Sequence, residues 1–149
     1  MQFSNKLKAT LQIVIANHYH MYFKAHSYHW NVEGMYFSQL HDFFGDIYTE
    51  VFAAVDTAAE ELRTLEAYAP IGLSDMIDHS TIDEDSAKPA THEDMLQKLL
   101  DANEEVMVSL NKLFDQATEE KVQGLADFAA GRLDVHAKHR WMIRSHLKG

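Results

Sequence analysis

Apolar residues recur on helical spacing in four long stretches of the chain. In the first, from about Asn5 to Asn31, Leu7, Leu11, Val14, Met21 and Ala25 fall on one face. Gly34 follows it, and glycine readily adopts the left-handed conformation that ends a helix. The second begins near Ser38, a suitable N-cap, and runs to about Tyr68, with Pro70 as its stop. The third follows Pro89 and Thr91, with Met95, Leu99, Ala102, Val106, Leu110 and Leu113 as its buried stripe. The fourth runs from about Glu119 to His146 and carries Val122, Leu125, Ala129, Leu133, Ile143 and Leu147. No segment alternates with the period of two that marks a half-buried strand. The pattern predicts an all-α four-helix bundle.

The connection between helices two and three, residues 69–90, is long for a bundle and is expected to carry structure of its own. Within it "GLSDMIDHS" predicts a short extra helix with Leu73, Met76 and Ile77 on one side. A long crossover is what a bundle needs when helices two and three run parallel. No repeat, low-complexity tract or linker divides the chain, so residues 1–149 read as a single domain.

Composition narrows the chemistry. The apolar fraction of 46% suits a packed core. No cysteine is present, which removes disulfides, thiolate metal clusters and cysteine nucleophiles. No apolar run is long enough to span a bilayer, and the N-terminal stretch lacks a signal-peptide cleavage pattern, so a cytoplasmic protein is expected. Thirteen basic against twenty-three acidic residues give a formal charge of −10, which opposes non-specific attraction to nucleic acid or anionic membrane. Many carboxylates together with ten histidines suit cations better.

The histidines supply the candidate chemistry. "AHSYHWNVEGMYFSQLH" places His26, His29 and His41 around one break. His26 and His29 are i, i+3 and share a helix face. Across an antiparallel hairpin, His29 and His41 are brought near one another. On the second helix Asp56 and Glu60 are i, i+4, beside Val55, Ala59 and Leu62. Carboxylates along an apolar stripe are costly to bury unless paired or bound to a metal. His41 and Asp56 are fifteen residues apart on one helix, roughly 22 Å at the rise of an α-helix, too far for one ion. The two pairs therefore form separate sites or meet across an interface between subunits. A two-fold axis passing antiparallel copies of the second helix favours the interface.

In order along the chain, "HSYHWNVEGMYFSQLHDFF", "VDTAAEEL", "IDHSTI" and "HAKHRWMIRSHL" resemble the Dps family of mini-ferritins. The resemblance covers nearly the whole chain and implies a ferritin-like bundle assembled into a hollow homododecamer. It implies a di-iron ferroxidase site between two-fold-related subunits, where iron(II) is oxidised by hydrogen peroxide or dioxygen before ferric iron is stored. His29 and His41 match the family's histidine ligands, and Asp56 and Glu60 match the carboxylates of the partner subunit. Trp30 matches a tryptophan beside the site thought to quench oxidising equivalents. By family position, Glu119, Glu120, Asp127 and Asp134 would line a three-fold iron pore; taken alone they read as ordinary surface.

One departure stands out. The family usually carries an acid four positions after the second histidine, where this chain has Gly45. In some members that acid pairs with a lysine three residues before the first histidine, the position of His26. Both are changed, which implies an altered site with a second iron held weakly. His26 reads equally as a ligand, a neighbour bonded to a ligand, or a bystander. Replacing Gly45 by Asp is expected to tighten the second position without weakening the helix. His136 and His139 read as a solvated face, His18 and His20 as surface or packing groups, and Tyr19, Tyr22, Phe23 and Tyr28 as core or interface. An intrasubunit di-iron oxidase would need Glu-x-x-His motifs, and the chain has none. The remaining alternative is a shell or interaction protein that kept the fold with an impaired site. A lysine-rich terminal tail, which serves DNA binding in some family members, is not evident: Lys6, Lys8 and Lys148 are the terminal lysines, so little DNA binding is expected at neutral pH.

Overall fold

The computed structural model describes residues 2–149, and among them all regular structure is helical. Helix α1 spans Asn5–Asn31. Its N-cap is Ser4, whose hydroxyl accepts from the Leu7 amide at 3.0 Å. Ser4 in turn donates through its amide and hydroxyl to Glu120, which ties the start of α1 to the end of the third long helix. Leu7, Leu11, Val14, Ile15, Met21, Ala25 and Tyr28 are fully or almost fully buried along one side. The helix closes when the Val32 amide donates to the Tyr28 carbonyl, and Gly34, at φ 109°, turns the chain back.

Helix α2 spans Phe37–Thr64. It begins at Tyr36 rather than at a serine cap, and Ser38 lies inside its first turn. It also stops four residues before Tyr68. Leu65 and Glu66, the latter at φ 64°, break it, so Pro70 lies well beyond the end. The short α3, Leu73–Asp78, forms in the crossover as the sequence predicts, with none of its residues buried.

Helix α4 spans His92–Glu119, capped by the Thr91 hydroxyl accepting from the Asp94 amide. Helix α5 spans Gln123–Leu147. Glu119, expected to open the fourth long helix, instead closes α4, because Lys121 at φ 61° makes the turn. The main packing contacts join α1 to α2, α4 to α5 and α1 to α4. Since the start of α1 meets the end of α4, and α1 is antiparallel to α2, helices α2 and α4 run parallel. That explains the long crossover.

The crossover is pinned to α1 by buried polar groups. The Asn17 carboxamide oxygen accepts from the Thr81 amide at 2.8 Å and from the Ser80 hydroxyl. The buried Lys24 ammonium donates to the Asp83 carbonyl at 3.0 Å and pairs with Asp85 at 3.1 Å. Tyr28 donates to the same Asp85 carboxylate, and burial with that carboxylate holds its phenol well above the usual range. No helix of the described residues is long and apolar enough to cross a membrane.

Candidate metal centre

The α1–α2 hairpin sets His29 and His41 face to face, with ring centroids 3.7 Å apart. Each ring bonds the backbone of the other. His29 Nδ1 lies 2.6 Å from the His41 carbonyl, and His41 Nδ1 lies 2.6 Å from the His29 carbonyl. A carbonyl only accepts, so both Nδ1 atoms carry protons and, in the neutral rings, both Nε2 lone pairs are free. A fixed tautomer with Nε2 available is the form in which imidazole binds metal.

This latch accounts for Gly45. A Cβ at that position would lie 3.2 Å from His29 Nδ1 and 3.3 Å from its Cε1, closer than carbon ordinarily packs. Glycine therefore lets the His29 ring lie against α2. An Asp at Gly45 would bring the same Cβ, so the His29 ring would have to give way by a few tenths of an ångström, a cost set against the helix gain expected from replacing a glycine.

His26 stands beside the pair, its ring centroid 6.0 Å from that of His29. It stacks on Tyr48 at 3.9 Å with an interplanar angle of 12°, and meets Trp30, also at 3.9 Å. Its Nδ1 lies 3.0 Å from the Tyr22 hydroxyl. Burial, with some help from His29, lowers its pKa from the ordinary histidine value. Trp30 is 57% exposed. Along the sequence Tyr22 reads only as core or interface, and nothing there marks Tyr48. The i, i+4 spacing of Tyr22 and His26 was the available signal.

Asp56 and Glu60 lie farther along α2, both exposed on the subunit surface. The Glu60 pKa is raised by a hydrogen bond to Asp56 and by its negative charge. Among the described residues of one chain, no three His, Asp or Glu side chains converge closely enough to hold an ion. The histidine pair and the carboxylate pair are thus separated along α2, as the fifteen-residue spacing requires.

The second histidine pair behaves differently from the solvated face predicted for it. His136 is fully buried and His139 is 7% exposed. They belong to a network drawn from all four long helices. Arg132 donates from Nε to His18 Nε2, and through its terminal nitrogens to His136 Nε2 and both Glu50 oxygens. His139 Nε2 bonds Glu50 at 2.8 Å, and His136 Nδ1 bonds the Asn103 carboxamide oxygen at 2.7 Å. Burial, then the Arg132 charge, drives the His18 pKa down to about 3. Burial, then the neighbouring His18, pushes His136 well below its usual range. Hydrogen bonds from His139 and Arg132, overcoming burial, lower Glu50 to about 2. The Nε2 lone pairs of His18 and His136 accept from Arg132, and Glu50 accepts from Arg132 and His139, so the cluster is held together by its own hydrogen bonds. His18 belongs to the packing, while His20 is half-buried and bonds Ser80. Of the four acids named for a pore, Glu120 is engaged by Ser4, whereas Glu119, Asp127 and Asp134 are exposed.

The profile of the ferritin-like domain family matches residues 8–149. The chain belongs to the ferritin-like family. Within it, the chain is similar to Dps from Thermosynechococcus elongatus, with a TM-score of 0.92 and 28% identity over 96% of this chain and 90% of that one. It is also similar to the DPS protein of Vibrio cholerae, described as a member of a superfamily of ferritin-like diiron-carboxylate proteins. There the TM-score is 0.90 and the identity 26%, covering 96% of this chain and 89% of that one. Among curated relatives, a low temperature-induced protein of Nostoc sp. is 31% identical over 91% of this chain and 76% of its own length. The DNA protection during starvation protein 2 of Bacillus anthracis is 28% identical over 85% of this chain and 86% of its own length. These likenesses bear out the Dps resemblance read from the motifs: this is a Dps-type mini-ferritin, whose class stores iron.

Proposed function

We propose that the protein oxidises iron(II) at centres shared between two subunits and stores the ferric product in a hollow homododecamer, limiting damage by peroxide. The observation that carries this reading is the reciprocal His29–His41 latch, which frees both Nε2 atoms while leaving the carboxylates elsewhere on α2. With α2 helices antiparallel across a two-fold axis, Asp56 and Glu60 of the partner subunit come to His29 and His41. The donor set fits iron(II): neutral imidazoles of fixed tautomer, and two carboxylates whose mutual repulsion a cation relieves. Anionic oxygens then favour the more highly charged ferric product. The two electrons that reduce hydrogen peroxide to water come from two iron(II) ions.

Because Gly45 supplies no oxygen, one iron binds firmly near His29, Asp56 and Glu60 and a second binds weakly. His26, with its Nδ1 bonded to Tyr22, flanks the pair, which supports a role as neighbour to the ligands. The same glycine favours a second reading, a storage shell with inefficient oxidation. Stopped-flow absorbance at 300–350 nm separates the two. The Asp56→Ala, Glu60→Ala double variant is expected to lose rapid iron(II) oxidation while keeping its helical circular dichroism. An unchanged initial rate would place oxidation elsewhere, and light scattering showing only monomers would remove the shared centre altogether.

A further inference from the structure

We propose that Tyr22, hydrogen-bonded to His26, is the electron donor that completes peroxide reduction when a centre holds a single iron(II). This rests on the iron-oxidising role proposed above and assigns a residue to it. The need is stoichiometric. Hydrogen peroxide takes two electrons to become water, and one iron(II) gives one. The second must come from elsewhere, or a hydroxyl radical is left.

The geometry supplies a donor. The Tyr22 hydroxyl lies 3.0 Å from His26 Nδ1. With the hydroxyl donating, the His26 proton sits on Nε2 and Nδ1 is free to accept. A phenol that loses an electron becomes strongly acidic, so a base already in hydrogen-bond contact lets electron and proton leave together. In the balanced step, hydrogen peroxide, one iron(II), the neutral Tyr22–His26 pair and two hydrogen ions taken up from solution give two waters, one iron(III), a Tyr22 phenoxyl radical and a His26 imidazolium. The electron crosses to oxygen through the iron, and the phenolic proton goes to His26 Nδ1.

A path between Tyr22 and the histidine latch is built from rings in contact. Tyr22 lies 6.1 Å from Tyr48, centroid to centroid, and Tyr48 lies 5.3 Å from His29. A parallel route runs from Tyr22 to His26 at 5.5 Å, with His26 stacked on Tyr48 and touching Trp30. Tyr22 is partly buried and packs against Phe52, with ring centroids 4.6 Å apart.

Two arms test this by electron paramagnetic resonance. In the first, the iron-free shell is oxidised by photogenerated ruthenium(III) tris-bipyridine. A tyrosyl signal is expected in the natural protein and in Tyr19→Phe, lost in Tyr22→Phe, and lost in His26→Phe, which keeps an aromatic ring but no proton acceptor. In the second, one iron(II) per centre is mixed with hydrogen peroxide, and the same signal is expected. A signal that survives Tyr22→Phe, or that belongs to Trp30, overturns the proposal. So does iron oxidation in the second arm without a tyrosyl radical, which leaves the iron-oxidising role standing. No iron oxidation at all overturns both, and a radical in the ruthenium arm then locates the failure at the iron centre.

Discussion

Replacing Gly45 by alanine sets two effects of opposite sign against each other. Removing a glycine from a helix interior should by itself stabilise the protein by about 1 kcal/mol. The new Cβ would, however, stand 3.2 Å from His29 Nδ1 and 3.3 Å from Cε1, so the ring must retreat by a few tenths of an ångström. That ring is held on one edge by the 2.6 Å bond to the His41 carbonyl and on one face by stacking at 3.7 Å. Pushing it off its rotamer costs about 0.5–1.5 kcal/mol, and stretching the bond forfeits part of a further 1 kcal/mol or so. The helix gain is thereby cancelled, and the expected change in stability is near zero or slightly negative. Metal affinity should fall more clearly, because Nε2 of His29 moves with the ring. Urea unfolding with circular dichroism reads the first quantity, and anaerobic calorimetry with iron(II), checked with redox-inert zinc(II), reads the second. A variant stabilised by the full 1 kcal/mol or so with unchanged metal affinity would refute the account of why glycine is here. Gly45→Asp brings the same Cβ and should show the same loss at His29, whatever its carboxylate adds at the second position.

The buried network gives a pH prediction. His18 and His136 are held neutral in the fold, with pKa values below the 6.5 of the unfolded chain, so their contribution is present above about pH 6.5 and is lost as pH falls, for His18 through the range down to about 3. Glu50, lowered from 4.5 to about 2, loses its contribution as pH falls from about 4.5 towards 2, so the protein should weaken progressively on acidification in urea titrations at stepped pH; stability that rises below pH 6 would contradict this. Arg132→Met should destabilise the protein by on the order of 3 kcal/mol, the low end for breaking a buried pair because the Glu50 side chain is about one-third exposed; a loss under about 1 kcal/mol in the same titrations would show that the network is dispensable. DNA retardation should be weak at pH 7.5, since the proposed dodecamer, at −10 per chain, would carry about −120; a clear gel shift at moderate salt would refute it, and binding that appears only near pH 6 would point to histidine protonation.

Local periodicity was enough to place four long helices and the short α3, because apolar spacing and turn residues act within a few positions of one another. The fifteen residues between His41 and Asp56 likewise fixed that one ion could not join them, since the rise of a helix is a constant of the backbone. Helix ends were less legible. Ser38 and Pro70 are good punctuation, but the chain turned at Tyr36 and Glu66, where packing of the hairpin and crossover decided. The fate of each histidine was a tertiary matter. His26 with His29 and His136 with His139 have the same i, i+3 spacing, yet one pair flanks an open latch and the other is sealed around Arg132. Spacing along one helix says which side chains share a face; it does not say what that face meets. Gly45 shows the same limit. In the sequence it reads as a missing acid, and only the approach of the His29 ring from the neighbouring helix reveals the space that the absent Cβ leaves.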